Sequence, residues 1–596
     1  MIKVSDYIIQ RLAYIYKVRH IFMVTGGGAM HLNDSIGKCK EIQYICNHHE
    51  QASAFAAEGY ARSTDKMGVV NVTTGPGGLN TLTGVMGQWT DSVPVLYISG
   101  QVKRETTITY YPNLNIRQLG DQEVDIISVV KPLTKFAEQI TDIKRVKYFL
   151  DKAIYFANEG RPGPVWLDIP MDIQGAMMDE NNQEEFNVSK VQKDNDNIIK
   201  VFELIQNAER PIIIAGNGIK IAKARKEFLQ LLRKIKIPVV STFNGMDLIN
   251  TDHPLFIGRI GTLGSRAGNF ALQNSDLVLS IGSRNNVRQT SYNWENYIRA
   301  GKLILIDIDN EELNKPTLHP FIKVCMDAKE FIIQLSQNNF KNNWSSWIDW
   351  CLLRKKKYPV VLPEYKDCKD GVHPYYFIEK LTQLLPSNIV TVAGNGSACV
   401  VLFHAGVVKE NQKYIWNSGC AAMGYDLSAA IGAAVGNPGK QIMCIAGDGS
   451  LMMNIQELAT VKHLNLPIKI FVLNNGGYIS IKQTQESFFK NNFVGCCPKS
   501  GVGIPDFISV AKSFGLKTIS ISLNNEIEVK IKKIFKENEP VLCEVNLNKE
   551  YKFIPKTSSE KKPDGRIISK PLEDLYPFLP RNEFEENMII KPLEEN

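Results

Sequence analysis

Short apolar runs recur along the whole chain, each stopping at glycine, asparagine, aspartate or serine. Between them lie stretches whose apolar residues return about every three to four positions. That alternation reads as strand, turn, helix and returning strand, the texture of βαβ units. It groups into three blocks. Residues 1–180 hold "MGVVNVTTGPGG" and "VPVLYISGQ" and close near "GPVWLDIPMDIQG". Residues 196–340 hold "RPIIIAGNGI", "IPVVSTFNG", "DLVLSIGSR" and "KLILIDID". Residues 374–550 hold "NIVTVAGNGS", "KQIMCIAGDGS", "IKIFVLNN" and "PVLCEVNL". Polar 181–195 and charge- and proline-rich 353–373 read as linkers. The tail, 551–596, contains "PLEDLYPFLPRNEF", apolar enough to lie on a surface but not to specify a fold. The expected fold class is α/β, with three doubly wound parallel-sheet domains that bind ligands at the carboxyl ends of their strands.

Composition narrows the class without changing this picture. The chain has 596 residues, room for about three to four domains. Its 44% hydrophobic and 22% charged residues are those of an ordinary soluble protein. A net charge of +7 over this length is a mixed solvated surface and predicts no nucleic-acid partner. Eleven cysteines, an odd number without a CxxC pair, read as reduced thiols in a cytoplasmic protein. No run approaches the ~20 apolar residues that span a membrane, and no leader pattern opens the chain.

The sharpest chemistry lies in "IAGDGSLMMNIQELATVKHLNLPIKIFVLNNGGY", residues 445–478. One apolar strand ends at Asp448, and a second ends at Asn475. The 27 positions between them hold one helix and one returning strand, so a right-handed crossover sets the two strand ends side by side. Gly449 and Ser450 open the connecting helix, whose first N–H groups attract anions. A carboxylate, a carboxamide oxygen and a backbone carbonyl are hard oxygen ligands suited to Mg²⁺, which takes further oxygens from phosphate. The pattern points to a Mg²⁺-bridged diphosphate.

GDGS followed at this spacing by NN resembles the signature of thiamine diphosphate (ThDP) enzymes. The connecting "NIQELAT" is similar to that of acetolactate synthase large subunits. The resemblance implies that Asp448 and Asn475 give side-chain oxygens to the metal and Gly477 its backbone carbonyl. It also implies the rest of the cofactor machinery. "NHHEQASAFAAEGYAR" matches the family's first domain and makes Glu50 the catalytic carboxylate that bonds the aminopyrimidine. The same residue can favour a helix N-terminus. "SGCAAMGYDLSAAIGAA" places Met423 as the wedge between the cofactor rings, with the Ala421 carbonyl at the pyrimidine edge. "AGNGSA" supplies Gly394, Asn395, Gly396 and Ser397 for the diphosphate, and Gly28 and Gly75 fall in cofactor-contacting turns of the first block. Family members often carry Gln-His where this chain has Ser397-Ala398.

On the substrate side, Gln122 stands at the family's active-site glutamine and Lys135 at a family lysine, while Asp121 replaces a usual phenylalanine. The second block resembles the family's FAD-binding domain, with Arg284 and Asp307 as flavin-nucleotide contacts. Arg288 aligns with an arginine that receives the second 2-keto acid, although the usual aspartates before it are Asn286 and Val287. Thr484 replaces a tryptophan that shapes the acceptor pocket. The resemblance therefore implies a ThDP-, Mg²⁺- and FAD-containing homodimer or homotetramer. It would decarboxylate pyruvate and pass the two-carbon unit to a carbonyl acceptor, either a second pyruvate or a keto-sugar, free or nucleotide-linked. Oxidation of the two-carbon unit and a non-catalytic ThDP-binding homologue are the other readings. The survival of Glu50, Asp448 and Asn475 together speaks against the latter.

Overall fold

A computed structural model describes residues 1–188, 197–561 and 565–593. The greater part of the first expected linker, 189–195, therefore lies outside the described residues, as do 562–564 and 594–596 of the tail. Each of the three blocks folds around a six-stranded sheet in which all strands run parallel. The first sheet runs Gln43–Cys46, His20–Met23, Gly68–Val72, Val95–Gln101, Pro164–Pro170, Phe136–Gln139. The third runs Lys413–Ile415, Val390–Ala393, Ile442–Gly447, Ile468–Asn474, Val541–Asn546, Lys517–Ile521. Taken in chain order, the two have the same topology: the second strand sits at one edge, and the last two exchange places at the other. The middle sheet runs Phe256–Arg259, Val239–Ser241, Pro211–Ala215, Leu277–Ile281, Lys302–Asp307, Ile322–Cys325. That is the 3-2-1-4-5-6 order of dinucleotide-binding folds. Central strands such as Gly68–Val72 and Leu277–Ile281 are buried along their whole length, which is why they read as unbroken apolar runs.

The first and third units meet through two small-residue helices, Glu50–Thr64 and Tyr425–Gly436. Their backbones are in direct contact. A Cβ on Gly432 would lie 1.7 Å from the Ala56 carbonyl oxygen, and one on Gly59 would lie 2.0 Å from that of Ala429. Neither neighbour can move without shifting a helix. Gly432→Val is therefore expected to destabilise the protein by roughly 3 kcal/mol or more, the upper part of the range for overpacking. Thermal denaturation of the purified variant checks this.

Two expected boundaries move. The helix Ser345–Lys357 buries Trp347 and Cys351 in the core of the middle unit, so that unit extends past 340 and the linker expected from 353 begins as helix. The basic run 354–357, read as solvated linker, is the last turn of this helix, where cations favour the dipole. The tail is also more than a surface strip. Tyr551 and Phe553 enter the core of the third unit and Leu572 that of the middle unit. Asn269 Nδ2 donates to the Leu572 carbonyl (2.8 Å) and Gln273 Nε2 to Glu573 (2.8 Å). No helix among the described residues is long and apolar enough to cross a membrane.

Candidate active site

The strands Ile442–Gly447 and Ile468–Asn474 are neighbours, with Gly447 opposite Leu473. Asp448 and Asn475 consequently emerge side by side at the carboxyl edge. Asp448 is 1% exposed. Its Oδ2 accepts the N–H groups of Asn475 (3.1 Å), Gly476 (2.7 Å) and Gly477 (2.9 Å), and its Oδ1 accepts that of Gly449 (2.7 Å). One carboxylate thus fastens the second strand's loop to the first strand's end. Burial raises the Asp448 carboxyl above its ordinary value, against the pull of these N–H groups. Asn475 is anchored through Nδ2 to Ser397 Oγ (3.2 Å), which shares a 2.6 Å hydrogen bond with Tyr551. The other end of that carboxamide, Oδ1, is buried and has no hydrogen-bond partner.

The connecting segment is not the single helix the spacing suggested. It is a short turn, Asp448–Leu451, then a 3-10 stretch, Met452–Glu457, then Leu458–His463, broken at Asn454. Asn454 leaves helical geometry because its Nδ2 donates to Gln51 Oε1 and to the Gly424 carbonyl, both 3.0 Å. Gly449 is required: a Cβ there would fall 2.1 Å from the Tyr478 ring.

These groups open onto a cavity of about 480 Å³. Asp448, Gly449, Ser450, Asn475 and Gly477 line one side. Asn395, Gly396 and Ser397 line another, at the start of the helix Ser397–Ala405. Ala421 and the half-buried Met423 also line it. Gly394 lies behind this wall, where a Cβ would meet Asp426 Oδ2 at 2.2 Å. Ser450 Oγ donates to that same oxygen (2.5 Å) and accepts the Gly424 N–H (3.0 Å). Burial pushes the Asp426 carboxyl up to about 6. Among the described residues no three His, Cys, Asp or Glu side chains form a metal cluster. The available donors are one carboxylate, one unpartnered amide oxygen and backbone carbonyls. That set fits a cation sharing phosphate oxygens and does not fit a zinc site.

No residue of 1–180 lines this cavity. The first-unit residues gather elsewhere, at the carboxyl edge of the first sheet. Glu50 begins its helix, and its Oε2 accepts the Asn80 Nδ2 hydrogen (2.9 Å). A Cβ on Gly75 would lie 2.0 Å from the Gln122 carbonyl oxygen, and one on Gly28 would run into Thr74. Glu50, Gly28, Gly75 and Gln122 therefore share one face. Lys135 does not. It precedes the strand Phe136–Gln139 and so lies at the opposite, amino edge, where its ammonium donates to the Glu159 carbonyl. Burial lowers its pKa to about 8. It is not among the residues lining the Asp448 cavity; sequence alignment could not show at which end of the strand its side chain would stand.

Arg284 and Asp307 meet in a second, smaller cavity of about 110 Å³ at the carboxyl edge of the middle sheet. Arg284 faces Asp91 (3.4 Å), and Asp307, raised by burial, accepts the Asp309 N–H (3.0 Å). Arg288, Phe243 and Ser418 line both cavities and join them. Thr484 does not line the first cavity. It sits one turn beyond Ser480 on the helix Ile479–Phe488, exposed, with its hydroxyl donating to the Ser480 carbonyl (3.0 Å). Sequence reading missed Phe553 and Lys556, which line the cavity, and Tyr551, which holds Ser397. The alternation of Tyr551 and Phe553 around Lys552 was the available signal for an extended, one-face-buried segment.

Three family models match the chain. They are described as the thiamine pyrophosphate enzyme N-terminal TPP binding domain (residues 2–128), central domain (198–335) and C-terminal TPP binding domain (394–545). Similar curated proteins include a probable acetolactate synthase large subunit of Methanococcus aeolicus, 32% identical over 89% of this chain and 89% of its own length. The acetolactate synthase large subunit of Lactococcus lactis subsp. lactis (strain IL1403) is 31% identical over 90% and 91%. Acetolactate synthase 1, chloroplastic, of Zea mays is 30% identical over 89% and 83%. The chain belongs to the thiamine pyrophosphate enzymes, close to the acetolactate synthase large subunits, and is a ThDP-dependent carboligase of the transferase type.

Proposed function

We propose that this chain holds Mg²⁺–ThDP at Asp448, Asn475 and the Gly477 carbonyl, takes pyruvate as donor, and transfers its two-carbon unit to a carbonyl acceptor. The observation that carries the metal is the buried, unpartnered Asn475 Oδ1 beside Asp448 at adjoining strand ends. Leaving such an oxygen unmade costs about 1–3 kcal/mol, which a bound cation would recover. Bound ThDP supplies the nucleophilic carbon and the electron sink for decarboxylation. The protein's part is positional. Asn395, Gly396 and Ser397 receive the diphosphate, Met423 supports the bend between the rings, and Ala421 meets the pyrimidine edge. Glu50 holds and moves the proton at the pyrimidine ring, with Gln122 beside it. Arg288 faces the acceptor.

Neither Glu50 nor any other residue of the first unit lines the Asp448 cavity, so a complete site takes Glu50 from a second copy. Leu79, Met86 and Trp89 on the first unit, and Met452 and Met453 just beyond Asp448, stay exposed, the kind of apolar face a homodimer covers. FAD would occupy the smaller cavity, on Arg284 and Asp307. Its 110 Å³ is below the ~300–1,000 Å³ of ordinary ligand pockets. Arg161, which lines it and is ion-paired to Asp309 and Glu312, would have to swing aside. The described cysteines are all free, in keeping with a reducing cytoplasm.

The test is incubation with pyruvate as sole substrate, following CO₂ and acetolactate. CO₂ release is expected to require both ThDP and Mg²⁺ and to stop when a chelator is added. An enzyme that releases CO₂ as fast after chelation, or none under any condition, rejects this reading. A keto-sugar acceptor is the second reading. It is favoured by Thr484, exposed one turn beyond cavity-lining Ser480 and Ile481, where the resembled family carries a large tryptophan.

A further inference from the structure

Lys556 lines the cavity that holds Asp448 and Asn475. Its main chain is tied to Tyr576 in both directions: Lys556 N–H donates to the Tyr576 carbonyl (3.1 Å), and Tyr576 N–H donates to that of Lys556 (2.7 Å). The next residue, Thr557, donates its N–H to the Thr262 carbonyl (2.8 Å), and Thr262 donates its own to the Arg288 carbonyl (2.8 Å). Three segments far apart in sequence are thus laced together. Lys556 and Arg288, which lines the same cavity, stand a few hydrogen bonds apart on adjoining segments.

Neither cation has a carboxylate within ion-pairing distance among the described residues. The Arg288 guanidinium rests over the Phe243 ring at 5.5 Å. Lys556 is half-buried, and burial, with the charge of Lys552, lowers its pKa. Other buried cations are answered by carboxylates, as Arg62 is by Glu58 and Asp91, or by backbone carbonyls, as Arg259 is by those of His404 and Gly406; among the described residues the Arg288 and Lys556 side chains have neither. Two unanswered cations in the wall of one cavity mark a place for negative charge brought from outside. A carboxylate acceptor such as pyruvate brings one, which a guanidinium can hold in a bidentate pair. With the cofactor diphosphate received at Asn395, Gly396 and Ser397, that leaves the ammonium unmatched. Lysine is a compact point charge suited to phosphate.

We propose that Arg288 and Lys556 together select an acceptor that carries phosphate, as a phosphomonoester or as a diphosphate linkage, in addition to its reactive carbonyl. This rests on the carboligase reading and names the acceptor's class within it.

The test reads binding, not turnover, on protein saturated with ThDP and Mg²⁺. 2-Phosphoglycolate carries a carboxylate and a phosphate, and glycolate the carboxylate alone. Calorimetry is expected to show 2-phosphoglycolate binding at least tenfold tighter, a gap lost in Lys556→Met and restored in Lys556→Arg. UDP-glucose forms the second arm. If its affinity depends on Lys556 more strongly than that of 2-phosphoglycolate, the source is a diphosphate linkage; the reverse order indicates a phosphomonoester. No gap in the wild-type protein, or a gap that survives Lys556→Met, overturns the proposal. So does a Lys556→Met protein that loses ThDP affinity while keeping the gap, because the lysine then serves the cofactor. Failure of the wild-type protein to release CO₂ from pyruvate rejects the donor reading separately, since these affinities are measured without turnover.

Discussion

Asp448→Ala is expected to abolish Mg²⁺-dependent ThDP binding while leaving the three sheets folded. Among the described residues lining the cavity, Asp448 supplies the only carboxylate the proposed metal would meet, and the same side chain collects three N–H groups of the Asn475 loop. Alanine removes the metal ligand and releases the loop that aims Asn475 Oδ1. The loss should exceed the roughly 10–100-fold typical of deleting a group one step removed from a metal. Asp448→Asn separates the two roles. Its remaining oxygen can still receive the loop's N–H groups, but the negative charge is gone, so loop order returns without full cofactor affinity. Isothermal titration of ThDP at fixed Mg²⁺ measures both variants, and unchanged affinity in Asp448→Ala would show that the metal lies elsewhere. A pH series gives a further check. Because burial raises this carboxyl above 3.8, the metal-free site begins to protonate at a higher pH than a free aspartate would. Apparent Mg²⁺ affinity is therefore expected to fall as pH is lowered. In the metal-free protein the sign of the stability term is opposite: a raised folded pKa favours the protonated fold, and that contribution fades as pH rises through the folded value.

The site was legible where chemistry and strand ends coincide. Asp448 and Asn475 sit at the carboxyl ends of neighbouring parallel strands, and any sequence with two apolar runs at that spacing will bring such residues together. The three-sheet architecture was legible for the same reason. What stayed hidden depends on contacts between units. Lys135 aligned with a family position, yet its side chain leaves the sheet at the amino edge. Asn454 breaks the expected helix because Gln51, some four hundred positions earlier, accepts its hydrogen. Lys556 belongs to a stretch with no regular element, and its place in the cavity comes from backbone bonds to Tyr576 and, through Thr557, to Thr262. Periodicity carries no information about such lacing. Helix–helix contact was half legible: the Ala- and Gly-rich stretches of 50–64 and 425–436 announce close packing, but not that they pack on each other.

Glu50→Gln should bind Mg²⁺–ThDP nearly as well as the wild-type protein and turn over about 10²–10⁴-fold more slowly, the range for losing a positioned proton-transfer group. The glutamine keeps the size of the side chain and can still meet Asn80, so folding and the shared face with Gly75 and Gln122 persist. What it lacks is a carboxylate to hold the pyrimidine proton. The same substitution can also show which chain completes which cavity. No residue of 1–180 lines the cavity around Asp448, while Glu50 stands on a face bordered by exposed Leu79 and Met86. If Glu50 of one copy serves Asp448 of another, then mixing Glu50→Gln with Asp448→Ala under subunit exchange creates mixed dimers. Each mixed dimer joins one doubly defective site to one wholly wild-type site. Random exchange in a two-fold symmetric dimer then restores about a quarter of wild-type activity from two nearly inactive proteins. If each chain served its own cavity, every site in every mixture would carry one lesion, and activity would stay at the level of the parents. Measuring CO₂ release from pyruvate before and after exchange distinguishes the outcomes, and an unchanged rate despite exchange proven by mass spectrometry would rule out the shared site.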